Sequence, residues 1–225
     1  MPSEPVENYI KSIFEIREAK GKVTTSSLSE KLNVSPPSVS EMIQRLAEDG
    51  VLLHTPYREV DLTAKGRRIA LKIIRRHRLW ELFLVQVLNY KWDEIHGEAE
   101  RLEHSTSDLL EQRIDEVLGY PARDPHGHVI PTREGEIDPA PSRRLSACPP
   151  GATVVVSHVS DENPQVLQYM SKLGITIEKP ITIKEQMEFD GSMLVEIDGK
   201  EHFVSSRLAQ QIFVKSDALL EELSS

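Results

Sequence analysis

Seven of the chain's 14 prolines fall between residues 121 and 150, and that cluster constrains the architecture more than any other feature. Proline offers no amide donor and cannot continue a helix or a central strand. The stretches PARDPHGHVIP and DPAPSRRLSACPPG are therefore read as a linker or an irregular, pinned segment. Before it, apolar residues recur at helical spacing; after it, they alternate as in strands. The expectation is a mainly α chain with a small β domain, and 225 residues suffice for two or three small cores.

In the helical part, Val6, Tyr9, Ile10, Ile13 and Phe14 predict an amphipathic helix over 5–19, ended by Gly21. A short helix follows around Ser26–Leu32, then a turn. A helix from Pro36 to Glu48 comes next, with Ser35 as N-cap and Val39, Met42, Ile43 and Leu46 as its buried stripe. VLLHTPYREVDL (51–62) reads as two short strands around a turn at Pro56–Arg58. Thr63 then caps a long helix to about Leu88, and a second long helix is predicted over 93–118. Past the proline cluster, TVVVSHV, ITIKEQMEF, SMLVEID and EHFVSS alternate as strands, interrupted by a helix around 164–173, as in a partly open barrel.

Helix, short helix, tight turn, capped helix and two-stranded wing is the order of a winged helix-turn-helix. In that arrangement the N-terminal end of the Pro36 helix enters the major groove. It would present Ser35, Pro37, Ser38, Ser40 and Glu41, with Gln44 and Arg45 one turn later, while Tyr57 and Arg58 sit at the wing tip. Hydroxyls and amides suit phosphates, and Pro37 suits a thymine methyl. The net charge of −9 argues against a nucleic-acid partner until it is divided. Residues 1–80 hold 14 Lys and Arg against 10 Asp and Glu; residues 81–225 hold 13 against 26. Screening over about 8–10 Å lets a basic head act independently of an acidic body.

A second pattern is chemical. His96, Glu100, Glu103 and His104 stand four, three and one apart on one predicted helix face, and His77 and Glu81 form an i, i+4 pair on the preceding helix. Imidazole with carboxylate is a mixed N/O set suited to Mn²⁺, Fe²⁺, Co²⁺ or Zn²⁺. Leu109, Leu110, Ile114 and Val117 offer an apolar face for a dimer or for the core.

Catalysis is not expected. ERLEH nearly matches an inverted zinc-protease motif, but Glu100 stands where a histidine ligand is needed. Paired Glu-x-x-His motifs, a nucleophile elbow and a phosphate loop are missing. The single cysteine, Cys148, and an N-terminus without a signal core lead to an expected cytoplasmic location. With no apolar run of the roughly 18 residues needed for a span, neither a membrane partner nor a small-molecule substrate is expected.

VENYIKSIFEI, LSEKLNVSPPSVSEMIQRLAEDG, VDLTAKGRRIA, RRHRLWELFL and IHGEAERLEHSTSD, in that order, resemble the diphtheria toxin repressor family, including its manganese transport regulator branch. The resemblance runs from about residue 5 to 215. It implies a winged helix-turn-helix over 1–72, a helical dimerisation and metal-binding part with a proline-rich linker over 73–142, and an SH3-like domain over 143–225. A metal-dependent transcriptional regulator follows, a homodimer binding a palindromic double-stranded DNA operator. Its co-repressor would be Mn²⁺ or, second, Fe²⁺, with Zn²⁺, Co²⁺ or Cd²⁺ as surrogates. The alternative is a winged-helix regulator responding to a small organic ligand.

By position, the resemblance implies a primary site of Glu100, Glu103 and His104 with Asn8 from the first helix. The ancillary site would use His77, Glu81 and His96, completed by Asp124 and His126 in DPHG or by Asp161, Glu162 and Gln165 in SDENPQ. Asp124 stands where streptococcal-type manganese regulators have a cysteine. Two departures stand out. Asn8 replaces a methionine or aspartate, and Lys11 occupies a place that is acidic in some manganese regulators, which leaves the tether to the first helix to Glu7 or to a water held by Asn8. Glu100, a carboxylate where the iron branch has cysteine, favours manganese.

Overall fold

Helix α1 (Glu4–Lys20) buries Val6, Tyr9, Ile10, Ile13 and Phe14 on the face their spacing predicts. Each such side chain, moved out of water, contributes about 1.5–3 kcal/mol. Gly21 stops the helix at φ 69°, where its amide donates to the Arg17 carbonyl. Helix α2 (Thr25–Leu32) starts on a reciprocal cap between Thr24 and Ser27 and ends on left-handed Asn33. Helix α3 (Pro36–Glu48) begins on Ser35, whose Oγ accepts from the Ser38 amide, and buries Val39, Ile43 and Leu46. Strands β1 (Leu52–Leu53) and β2 (Asp61–Leu62) pair antiparallel, Leu52 opposite Leu62.

The computed structural model describes residues 2–53, 60–138 and 141–215. The expected wing tip, with Tyr57 and Arg58, lies outside them.

Helix α4 (Ala64–Gln86) opens with Thr63 Oγ1 accepting from the Gly66 amide. Gly66 has to be glycine because a Cβ there would meet the Val51 carbonyl at 2.3 Å. The single helix expected over 93–118 is two: α5 (His96–Glu103) and α6 (Asp108–Val117). Hydroxyls make the break. Thr106 Oγ1 donates back to the Leu102 carbonyl, and Ser107 Oγ accepts from the Leu110 amide as a new N-cap.

Two compact units result. The first comprises Met1–His77, Glu100–Glu111 and Ile130–Asp138. Its core joins α1, α2, α3 and the first half of α4, with Ile137 packed against it. Within it Glu111 accepts from Arg75 Nε at 3.0 Å and Arg76 Nε at 2.9 Å, and Arg76 also reaches Asp108 at 2.7 Å. These buried guanidinium pairs fasten the start of α6 to α4.

The second unit comprises Arg78–Ala99, Gln112–Val129 and Pro139–Ser225. Its strands are β3 (Arg143–Arg144), β4 (Thr153–Val159), β5 (Pro180–Gln186), β6 (Met193–Ile197), β7 (Lys200–Val204) and β8 (Ile212–Lys215). They form one antiparallel sheet in the order β3-β8-β4-β5-β6-β7, with register shifts at Val156/His158 and Ile183/Glu185. Such bulges curve a sheet, as the expected SH3-like domain requires. Helix α7 (Pro164–Lys172) buries Leu167 and Met170, and short α8 (Ser206–Ala209) buries Leu208 and Ala209. Among the described residues no helix is long and apolar enough to cross a membrane.

Candidate metal centre

In the second unit, Glu81 on α4 is fully buried and has carboxylates and imidazoles around it. Asp124 and His126 come from the proline-rich segment, Asp161 from the β4–α7 connection and His96 from the start of α5. Donor atoms of Glu81, Asp124 and His126 lie within 4.8 Å of one another, as do those of Glu81, His96 and Asp161. His126 Nδ1 stands 3.6 Å from Glu81 Oε2 and 3.8 Å from Asp161 Oδ2; His96 Nδ1 stands 3.5 Å from Glu81 Oε1. Donors sharing one ion at about 2.2 Å are themselves about 3–3.6 Å apart, so these separations suit a common cation.

The loop that delivers Asp124 and His126 is built for it. Asp124 Oδ1 accepts from the amides of His126 and His128 at 2.8 and 2.9 Å, turning the chain back, while Arg78 holds the Val129 carbonyl. Gly127 (φ 89°) lies so close to β4 that a Cβ would meet the Ser157 carbonyl at 2.2 Å.

His126 Nε2 donates to the Trp92 carbonyl at 2.8 Å, and Trp92 is itself held by a 2.8 Å bond from its Nε1 to Ser171 Oγ on α7. Once the ring gives up its second proton, Nδ1 is the lone pair that faces the carboxylates. A hydrogen bond fixing the far nitrogen is what orients a metal-ligating histidine. Asp124 Oδ2, His126 Nδ1 and His128 Nδ1 are buried and make no hydrogen bond, although His128 Nδ1 is 3.3 Å from Asp124 Oδ2. Buried polar atoms left so are costly.

Electrostatics point the same way. Burial pushes the His126 imidazole towards neutrality, but Glu81, Asp161 and Asp124 outweigh it and raise its pKa to about 9. Burial likewise favours neutral His128, against Asp124 and Asp161, which raise it. Asp161 is pushed up by burial yet held below the ordinary carboxylate range by His128, His126 and His96. The site demands positive charge, from protons or from a metal, and the donor set fits a hard divalent ion.

The first unit holds a different cluster. Lys11 Nζ on α1 donates to both oxygens of Glu103, at 2.8 and 2.9 Å, and stands 3.2 Å from His77 Nδ1. His77 Nδ1 also lies 2.5 Å from Glu103 Oε2, and His104 Nδ1 bonds Glu7 Oε2 at 2.7 Å. Burial raises the Glu103 carboxyl, but the His77 bond and the Lys11 charge hold it below its ordinary value.

The residues expected as ligands therefore divide. Glu81, His96, Asp124, His126 and Asp161 converge in one place; Glu103 and His104 gather around Lys11, and His77 bonds Glu103 through Nδ1 while a donor of its ring also lies within 4.8 Å of those of Glu81, His96 and Asp161. Asn8 is half-buried beside Glu7, which takes the contact expected of it, and Glu100, Glu162 and Gln165 are exposed and join neither group. His128 was not anticipated, although it lies two residues past His126. On α3, Ser35, Pro37, Ser38, Ser40, Glu41, Gln44 and Arg45 are all exposed, as a reading helix requires.

Residues 1–60 match the iron dependent repressor N-terminal DNA binding domain, 63–132 the iron dependent repressor metal binding and dimerisation domain, and 143–216 the FeoA domain. The iron-dependent repressor IdeR of Mycobacterium leprae is 30% identical over 212 residues, 88% of this chain and 91% of that protein. The chain belongs to the diphtheria toxin repressor family. Among solved members, a manganese-dependent transcriptional repressor in complex with manganese is 44% identical. It superimposes with a TM-score of 0.89 over 94% of this chain and 99% of its own. The manganese regulator SloR is 35% identical, with a TM-score of 0.78 over 96% of this chain and all of its own. These relatives of the diphtheria toxin repressor family are repressors rather than enzymes.

Proposed function

We propose that the protein is a manganese-responsive transcriptional regulator of metal-homeostasis genes, with Fe²⁺ as the second candidate ion. As a metal-loaded homodimer it binds a palindromic operator. The cluster of Glu81, Asp124, His126 and Asp161, in which Asp124 Oδ2 and His126 Nδ1 are buried without a hydrogen bond, carries this reading. Glu81, Asp124, His126, Asp161 and His96 would hold the ion, which supplies the positive charge the cluster lacks. Three carboxylates and imidazole without a thiolate favour Mn²⁺, while Zn²⁺, Co²⁺ and Cd²⁺ remain competent surrogates; Cys148 is buried in the β-domain core instead.

The chain's own residues supply the rest. Functional segments 1–72, 73–142 and 143–225 give the reading head, the helical part and the β domain that contributes Asp161. At the exposed end of α3, Ser35 and Ser38 would contact phosphate and Pro37, Ser40, Glu41, Gln44 and Arg45 base edges; Tyr57 and Arg58, expected from the sequence at the wing tip, would complete the set. Helix α4 carries Glu81, and its N-terminal half gives Ala70, Leu71 and Ile74 to the core that α3 joins. Metal that favours the DNA-competent form is bound more tightly when DNA is present. The relatives favour a metal over a small organic ligand.

The test is operator binding by metal-free protein, titrated with Mn²⁺, anaerobic Fe²⁺ and Zn²⁺, beside Asp124→Ala. Metal should tighten binding at least tenfold in wild type and leave the variant unchanged. Equal affinity with and without metal would sink the reading.

A further inference from the structure

We propose that the Lys11 ammonium is a built-in cation that closes the Glu103 cluster to metal, so that each chain takes a single divalent ion, at the Glu81 site. The inference rests on the reading of that site as metal-binding. Lys11, His77 and Glu103 are all buried. The ammonium spans both Glu103 oxygens at 2.8 and 2.9 Å, where a bound ion would have to stand. Around it, His77 Nδ1 is committed at 2.5 Å to Glu103 Oε2, and His104 bonds Glu7 Oε2 through Nδ1 at 2.7 Å while its Nε2 stands 3.5 Å from Glu103 Oε1. Here the residues do not fit a metal.

The contrast with the Glu81 site is physical. There the Arg78 guanidinium stands 3.6 Å from Asp124 Oδ2, beyond hydrogen-bond distance, and Asp124 Oδ2, His126 Nδ1 and His128 Nδ1 make no hydrogen bond. At Glu103 the buried carboxylate already has its counter-charge within hydrogen-bond distance, which is how a buried ion is tolerated. A divalent ion would have to displace a buried ammonium from its carboxylate, or bind against its repulsion. Lys11 therefore does permanently what a second ion would do on demand: it ties α1 to Glu103, at the end of α5, whether or not metal is present.

Mn²⁺ stoichiometry of full-length protein, by equilibrium dialysis with metal analysis, decides it. Wild type should hold one ion per chain, Glu103→Gln still one, and Asp124→Ala none. Lys11→Met, which keeps the length but removes the charge, should expose Glu103, His77, His104 and Glu7 and raise the count to two; Lys11→Arg should keep it at one. Two ions in wild type, falling to one in Glu103→Gln, would overturn the proposal, as would a count of one in folded Lys11→Met. If Lys11→Met fails to fold, the wild-type and Glu103→Gln counts still decide. No ion in wild type would instead overturn the metal-sensing reading itself.

Discussion

His126 and His158 belong to one file of rings, linked through His128, and titrate in opposite directions. His158 stacks on Phe213 at 4.3 Å and faces His128 at 5.2 Å. Burial, then the charges of His128, Arg123 and Arg78, drive its pKa down to about 3, whereas that of His126 is raised to about 9. Both rings titrate near 6.5 when unfolded. Protonated His126 thus stabilises the metal-free fold fully below pH 6.5, and that contribution fades as the pH rises through 9. The neutral His158 contributes fully above pH 6.5 and loses its contribution as the pH falls towards 3. Thermal melts of metal-free protein should peak near pH 6.5, and His126→Gln should flatten the alkaline side. A ligand must also lose its proton to bind metal. Mn²⁺ affinity should therefore climb by up to about tenfold per pH unit towards pH 9, with proton release visible by calorimetry in buffers of different ionisation enthalpy. A pH-independent affinity would mean that His126 is not a ligand.

At the scale of elements, the Asp124–His128 loop is what the metal centre depends on most. Gly127 is both left-handed and pressed against β4, so Gly127→Ala must push the loop off the strand. We expect Mn²⁺ affinity to fall at least a hundredfold, while the helical signal of the head stays intact by circular dichroism; unchanged affinity would show that the loop does not deliver ligands. This loop also marks how far the sequence could be read. Helix α3 was legible to the residue, because Ser35, Pro36 and the closing Asp49–Gly50 are local signals. The break between α5 and α6 was not, because His96, Glu100, Glu103 and His104 keep helical spacing and Ser105–Ser107 passed for helix interior rather than a cap. Strand β8 escaped because four residues, IFVK, show too little alternation. For the site, i, i+4 spacing paired His77 with Glu81, as their donor atoms are, but could not reveal that His77 also bonds Glu103, 26 residues away, or that Lys11 meets Glu103 across 92. Long-range convergence leaves no trace in local period.

At the scale of the whole molecule, the acidic body and basic head have to act in pairs if a palindrome is read. Leu109, Leu110 and Val117 lie within one arc of α6 and are 63%, 41% and 66% exposed, followed by Tyr120 at 70%. Ile114, the fourth member of the expected face, is buried within the chain at 4%. A helix leaving so much apolar surface in water, in a segment matching a dimerisation domain, is accounted for by a second copy of itself. Two reading helices joined this way gain affinity because the second engages as an intramolecular event, by a factor on the order of 10²–10⁴. Leu110→Glu with Val117→Glu should therefore give monomers in sedimentation, with operator affinity down by about a hundredfold or more. Mn²⁺ binding at Glu81 should persist, since none of its donors lies on α6. Dimers surviving both charges would place the interface elsewhere. Monomers that keep full operator affinity would mean that one head suffices and that the palindrome is not read as a pair.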